Sequence, residues 1–150
     1  MNTLAKTNVI LLAEDDADDR LLTQDALAES QLVADLRFVE NGTELLDYLF
    51  LRGKFAEPAS APRPQLILLD LNMPRMDGRE VLAKIKADPA LRRIPVVVLT
   101  TSRADTDIAR IYELGANSFI SKPVRFEALV NVMKALRLYW FETVELPGAK

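Results

Sequence analysis

Five side chains carry the chemistry that this sequence could perform: Glu14, Asp15, Asp70, Thr100 and Lys122. Each lies at the close of a short, mostly apolar run: VILLA before Glu14-Asp15, LILL before Asp70, VVVL before Thr100 and SFIS before Lys122. Asp15 and Asp70, if brought together, repel one another and raise each other's pKa unless a cation intervenes. Oxygen donors with no nitrogen or sulfur among them suit Mg2+, which keeps waters in its shell for a phosphate oxygen to replace. A lysine and a hydroxyl opposite would hold the other oxygens of a transferring phosphoryl group. Asp70 would be the nucleophile, as carboxylates are when they form acyl phosphates. Taken singly, each residue also has a bland explanation: an acid capping a helix, a threonine favouring a strand, a lysine keeping the surface charged. What separates the two readings is whether the chain brings them to one place.

The hydropathy pattern says that it does. Val9 to Ala13, Leu36 to Glu40, Gln65 to Leu69, Val96 to Thr100 and Ser118 to Ser121 are short runs bounded by turn signals, and they predict strands, several buried on both faces. Helical spacing lies between them. The first helix starts at Asp18, with acids in its first turn and Leu21, Leu22, Ala26 and Leu27 expected to face the core. A second follows the Asn41-Gly42 turn, with Thr43 as its expected cap and Leu45, Leu46, Leu49 and Phe50 as its apolar face. A third covers Arg79 to Ala87 and stops at Asp88-Pro89. A fourth covers Ser102 to Leu114, with Ile108, Ile111 and Tyr112 inward and Gly115 closing it. The last runs from Arg125 to Phe141. Arg52 to Pro64, rich in proline, is expected to be a long polar loop. Strands alternating with helices predict an α/β fold, a three-layer α/β/α sandwich around a five-stranded, mostly parallel sheet. In such a sheet the polar strand ends share one edge, where open α/β sheets bind their ligands.

Composition narrows the chemistry further. The 150 residues suffice for one domain with a real core, and half of them are apolar. Without cysteine there are no disulfides, thiolate metal sites or cysteine nucleophiles. Without histidine there is no His-dependent triad and no imidazole metal ligand. A net charge of −3 offers no basic stripe for nucleic acid. No apolar run approaches a membrane span and Met1 to Asn8 has no signal-peptide character, so the cytoplasm is the expected location.

The segments ILLAEDD (Ile10 to Asp16), LILLDLNMPRMDG (Leu66 to Gly78), VVVLTTS (Val96 to Ser102), GAN (Gly115 to Asn117) and ISKP (Ile120 to Pro123), in this order and spacing, resemble the receiver domain of two-component response regulators. The resemblance covers essentially residues 1–150 as a single domain, with 141–150 as a C-terminal extension and no output domain expected. It implies the flavodoxin-like receiver fold with strand order 2-1-3-4-5. It implies that Asp70 accepts a phosphoryl group from a histidine kinase, becoming 4-aspartylphosphate. Asp15, Asp70 and the backbone carbonyl of Asn72 would bind Mg2+, with Glu14 helping through water. Thr100 and Lys122 would engage the phosphoryl oxygens, and the Lys122-Pro123 bond would be cis. Phe119 stands at the position of the family's aromatic switch, without the hydroxyl of the common tyrosine. Asn72 and Ser102 stand where the lifetime of the phosphorylated form is tuned. Such a protein is not a turnover enzyme: it catalyses its own phosphotransfer and autodephosphorylation. The long loop LRGKFAEPASAPRPQ and the extension YWFETVELPG are similar to the small regulators serving bacterial and cyanobacterial phytochrome kinases, which implies a phytochrome kinase as partner.

The last helix carries one apolar stripe, Leu129, Val132, Met133, Leu136 and Trp140, sufficient to dock it on the sheet. Phe126, Val130, Leu138, Tyr139 and Phe141 lie outside that stripe and suggest a homodimer face, as in the resembled subgroup. Other readings fit less well. A haloacid-dehalogenase-type phosphatase needs a second acid two residues after the nucleophile, where this chain has Asn72. A flavodoxin-like cofactor binder needs a phosphate-cradling loop after strand one, where Glu14-Asp15-Asp16 would repel phosphate. A phosphorylation-independent interaction module sits poorly with every charged and hydroxyl site residue being present, whereas a phosphate sink without dedicated output uses the same residues and stays open. The expected response to phosphorylation is a population shift in which Thr100 moves towards Asp70 and frees space for Phe119.

Overall fold

The computed structural model describes residues 8–101 and 105–147. Five strands, β1 (Val9–Ala13), β2 (Asp35–Val39), β3 (Leu66–Leu69), β4 (Val96–Thr100) and β5 (Ser118–Ser121), form one sheet in the order β2-β1-β3-β4-β5, every pairing parallel. Five helices alternate with them: α1 (Ala17–Glu29), α2 (Gly42–Phe50), α3 (Gly78–Ala87), α4 (Asp105–Glu113) and α5 (Phe126–Leu136). The expected three-layer sandwich and its strand order are observed.

β1, β3 and β4 are buried along their whole length because each face of the sheet is covered. Alternate residues divide between two cores, as the two-residue period of a strand requires. Leu11, Ala13, Ile67, Leu69, Val96 and Val98 pack with Leu45 of α2, Leu82 of α3 and Ile111 of α4. Ile10, Leu12, Leu66, Leu68, Val97 and Leu99 pack with Leu27 of α1 and Leu129, Met133 and Leu136 of α5. Helices α1 and α5 therefore cover one face, and α2, α3 and α4 the other.

The phase of α1 differs from expectation. Leu21 is 57% and Leu22 45% exposed, while Thr23, Ala26, Leu27 and Ser30 are buried. These four stand at i, i+3, i+4 and i+7, a single helical face. Small side chains on it let α1 lie close to α5, and that close approach set the phase rather than leucine content. Asn41, not Thr43, caps α2, its side chain accepting from the Glu44 N–H at 2.8 Å. Phe50 is partly exposed (39%) at the end of that helix. The loop from Arg52 to Pro64 is not wholly irregular: Gly53–Phe55 and Pro58–Ser60 form short 3-10 turns, and the Tyr48 hydroxyl pins the loop by donating to the Pro62 carbonyl at 2.6 Å. Tyr112 of α4 is half-exposed rather than inward, while Gly115 closes that helix at φ 105° as its type predicts.

The last helix is not uniform. After Leu136 the chain widens into a π-helical stretch, Arg137–Thr143. Val130 is buried, contrary to its place among the surplus apolar residues, and Phe141 packs partly against the α1–α5 core. Phe126, Leu138 and Tyr139 remain exposed. Arg137 ties this end to α1, its guanidinium donating to the Ser30 carbonyl at 2.8 Å. Among the described residues no helix is long and apolar enough to cross a membrane.

Candidate functional site at the carboxyl edge of the sheet

Strand register builds the site. Ala13 of β1 pairs with Leu69 of β3, so Glu14 and Asp70 leave their strands side by side, and the Asp70 N–H donates to the Ala13 carbonyl at 3.1 Å. Thr100 ends β4 opposite Ser121 of β5, and the Lys122 N–H returns to the Thr100 carbonyl at 2.7 Å. The strand order reverses between β1 and β3, the place where crossovers leave a crevice. Glu14, Asp15, Asp70, Thr100 and Lys122 all reach this crevice.

Carboxylate oxygens of Glu14, Asp15 and Asp70 lie within 4.8 Å of one another, with Glu14 and Asp70 buried and Asp15 exposed. Three oxygen donors at that spacing fit a hard divalent cation, and no imidazole or thiolate competes because the chain has neither. Asp70 is held on both sides. Its Oδ1 accepts from the Asn72 N–H at 3.0 Å and from the Thr100 hydroxyl at 3.1 Å; its Oδ2 lies 3.4 Å from Lys122 Nζ. The Asn72 amide reaches the Thr100 oxygen at 3.4 Å. Lys122 also donates to Glu14 Oε1 and, at 3.4 Å, to Asp19.

The electrostatics follow from burial. Glu14 is only 2% exposed, and desolvation pushes its pKa up to about 7, against the pull of the Lys122 hydrogen bond. Burial works against the Lys122 ammonium, but the hydrogen bond to Glu14 and the charges of Asp70, Glu14 and Asp19 outweigh it and raise its pKa. The ammonium thus sits among the acids as their counter-ion.

One expectation changes. The Lys122-Pro123 bond is trans, since no cis peptide bond occurs among the described residues. Trans is the lower form of an X–Pro bond by about 0.5–1 kcal/mol, and here it leads through exposed Val124 to Arg125, the extended residue opening α5. The Phe119 ring is partly buried against the α2–α3–α4 core. Ser102 lies outside the described residues.

Some contacts had no counterpart in the sequence reading. Arg20, on the first turn of α1, donates to the backbone carbonyls of Glu14 at 3.0 Å and Asp15 at 3.3 Å, and its other arm lies 3.6 Å from Glu40. Asp19 and Arg20 follow Asp15 by four and five residues, on the opening turn of α1. The Tyr112 hydroxyl accepts the Phe119 N–H at 3.1 Å. By strand alternation that N–H faces away from β4, because the Lys122 N–H faces towards it.

Comparison with known proteins agrees with this geometry. The response regulator receiver domain family matches residues 10–134. Response regulator Rcp1 of Synechocystis sp. is 43% identical over 141 residues, 94% of each chain. The crystal structure of the phosphorylated cyanobacterial phytochrome response regulator RcpA superposes with a TM-score of 0.88 at 44% identity, covering 95% of this chain and all of that one. The Mn2+-bound form of Rcp1 superposes at 0.84 with 42% identity, covering 94% and 99%. Receiver domains of this kind bind a divalent metal at an acidic pocket and signal by phosphorylation in two-component systems. A crevice of three acids, a hydroxyl and a lysine on a 2-1-3-4-5 sheet, with relatives of this closeness, makes the chain a member of the response regulator receiver family, homologous to phytochrome response regulators.

Proposed function

We propose that Asp70 is the phosphoacceptor of this receiver domain and that a phytochrome histidine kinase supplies the phosphoryl group. The observation that carries this reading is the setting of Asp70: a buried carboxylate flanked by Glu14 and Asp15, with Thr100 and Lys122 within 3.4 Å. A carboxylate oxygen of Asp70 attacks phosphorus, the phosphorus–nitrogen bond of the kinase phosphohistidine breaks, and the imidazole leaves. The Thr100 hydroxyl and the Lys122 ammonium then turn from the carboxylate to the new phosphoryl oxygens. Asp15 and Asp70 with the Asn72 carbonyl, and Glu14 through water, would hold Mg2+. The cation would offset negative charge on the phosphoryl oxygens. Because Lys122 already rests between Glu14 and Asp70, the site tolerates its crowded acids before any cation arrives.

The likeness to RcpA, a cyanobacterial phytochrome response regulator that aligns along almost the whole chain, supports the phytochrome assignment. The exposed Leu138 and Tyr139 of the π-helical stretch support association of two copies through the C-terminal region. The reaction is single-turnover on the protein itself, in the cytoplasm, where such kinases present their phosphohistidine.

The test is direct. Incubation with Mg2+ and acetyl phosphate, followed by intact mass measurement, should add one phosphoryl group to the wild type. Asp70→Asn and the metal-free control should gain none. Phosphorylation persisting in Asp70→Asn would move the acceptor elsewhere. Faster transfer from a phosphorylated phytochrome kinase than from an unrelated histidine kinase is expected; equal rates would remove the phytochrome assignment.

A further inference from the structure

Three carboxylates surround the cation position, but they are not held alike. Glu14 is fixed by Lys122, and Asp70 by Asn72, Thr100 and Lys122. The Asp15 carboxylate is exposed and makes no hydrogen bond or ion pair among the described residues. Its position depends on the backbone of the turn between β1 and α1. Arg20 grips that backbone: one guanidinium nitrogen bridges the Glu14 and Asp15 carbonyls at 3.0 and 3.3 Å, and the other lies 3.6 Å from Glu40 on the neighbouring loop. The Arg20 side chain is only 20% exposed, and a planar fork that reaches the two carbonyls with one nitrogen and Glu40 with the other sets a geometry that a flexible ammonium does not.

We propose that Arg20 is a positioning residue for the divalent cation: by clamping the Glu14 and Asp15 carbonyls it holds Asp15 where it can act as a ligand. This rests on Asp15 and Asp70 being cation ligands. The charge of Arg20 works in the opposite sense. A guanidinium near a cation site repels the cation, so removing it by charge alone would tighten binding. Positioning and charge therefore predict opposite signs.

Calorimetric titration of Mg2+ into the metal-free, full-length protein separates them. Arg20→Lys, which keeps the charge, and Arg20→Gln, which removes it, should both weaken Mg2+ binding about tenfold, the usual cost of losing a group that orients a metal ligand. Melting curves in the absence of metal should stay within a few degrees of wild type. Glu40→Gln, which frees only the outer arm, should weaken binding less than Arg20→Lys. In the double variant Arg20→Gln/Asp15→Asn, binding should be no weaker than in Asp15→Asn alone, because the clamp has nothing left to position. Unchanged or tighter binding in Arg20→Gln, or losses that add in the double variant, would overturn the proposal. Absence of Mg2+ binding by the wild type, or full binding by Asp15→Asn, would instead overturn the ligand assignment on which it rests.

Discussion

Glu14 is the most buried acid of the cluster, and its titration should be visible. Its folded pKa of about 7 lies above the ordinary 4.5, so the folded protein binds this proton more tightly than an unfolded chain does. The stability contributed by this group is fully present below about pH 4.5 and is lost as pH rises through about 7. A cation favours the ionised carboxylate and expels the proton. Mg2+ affinity should therefore rise with pH up to about 7, by at most about tenfold per unit for one proton released, and level off above it. Calorimetry in two buffers of different ionisation heat reads that release, and Glu14→Gln should flatten the profile. A flat profile in the wild type would show that Glu14 is ionised throughout. At this scale the site was largely legible: acids, hydroxyl and lysine each close a strand, and strand ends can be located from apolar runs. Arg20 was not, because it acts through backbone carbonyls, whose direction no side-chain pattern reveals.

The elements were legible where burial was two-sided. β1, β3 and β4 are apolar at every position until their closing residues, and no other arrangement buries them. Helix α1 was read correctly at Ala26 and Leu27 but wrongly at Leu21 and Leu22, a leucine pair that outweighed the smaller Thr23 and Ser30 that its packing needs. The correction has a consequence for function. Leu21 and Leu22 lie exposed on the helix that begins beside Asp15, a position suited to docking a kinase. Leu21→Asp and Leu22→Asp should leave phosphorylation by acetyl phosphate unchanged while slowing transfer from the kinase roughly tenfold, the effect of losing an interface anchor worth more than about 1 kcal/mol. Equal slowing with both donors would place the defect in the site. The turn between β3 and α3 is tight for a different reason. A Cβ on Gly78 would lie 2.8 Å from the Asp70 carbonyl oxygen and 2.8 Å from Leu71 Cα. Gly78→Ala should cost about 1–3 kcal/mol of stability, read from denaturant melts, because backbone would have to shift.

For the whole molecule, the α/β/α layering follows from alternation alone, but the end of the chain does not. Helical periodicity ran on from Arg125 to Phe141, yet the ladder widens at Arg137, where the guanidinium is drawn to Ser30 and Glu142. This leaves Leu138 and Tyr139 outward, 50% and 53% exposed, while Trp140 and Phe141 turn partly to the core. Sedimentation at micromolar concentration should show a dimer, and Leu138→Asp with Tyr139→Asp should give a monomer that still accepts phosphate. A wild-type monomer in both phosphorylation states would remove the dimer.

The two margins of the sheet are guarded differently. β2 carries the Asp35–Arg37 ion pair, whereas β5 presents Phe119, whose outward N–H is taken up by the Tyr112 hydroxyl. A free donor on an outer strand is a template for another chain to add to, and the tyrosine removes it. One outward donor of β5 is thereby withdrawn from pairing with a neighbouring sheet.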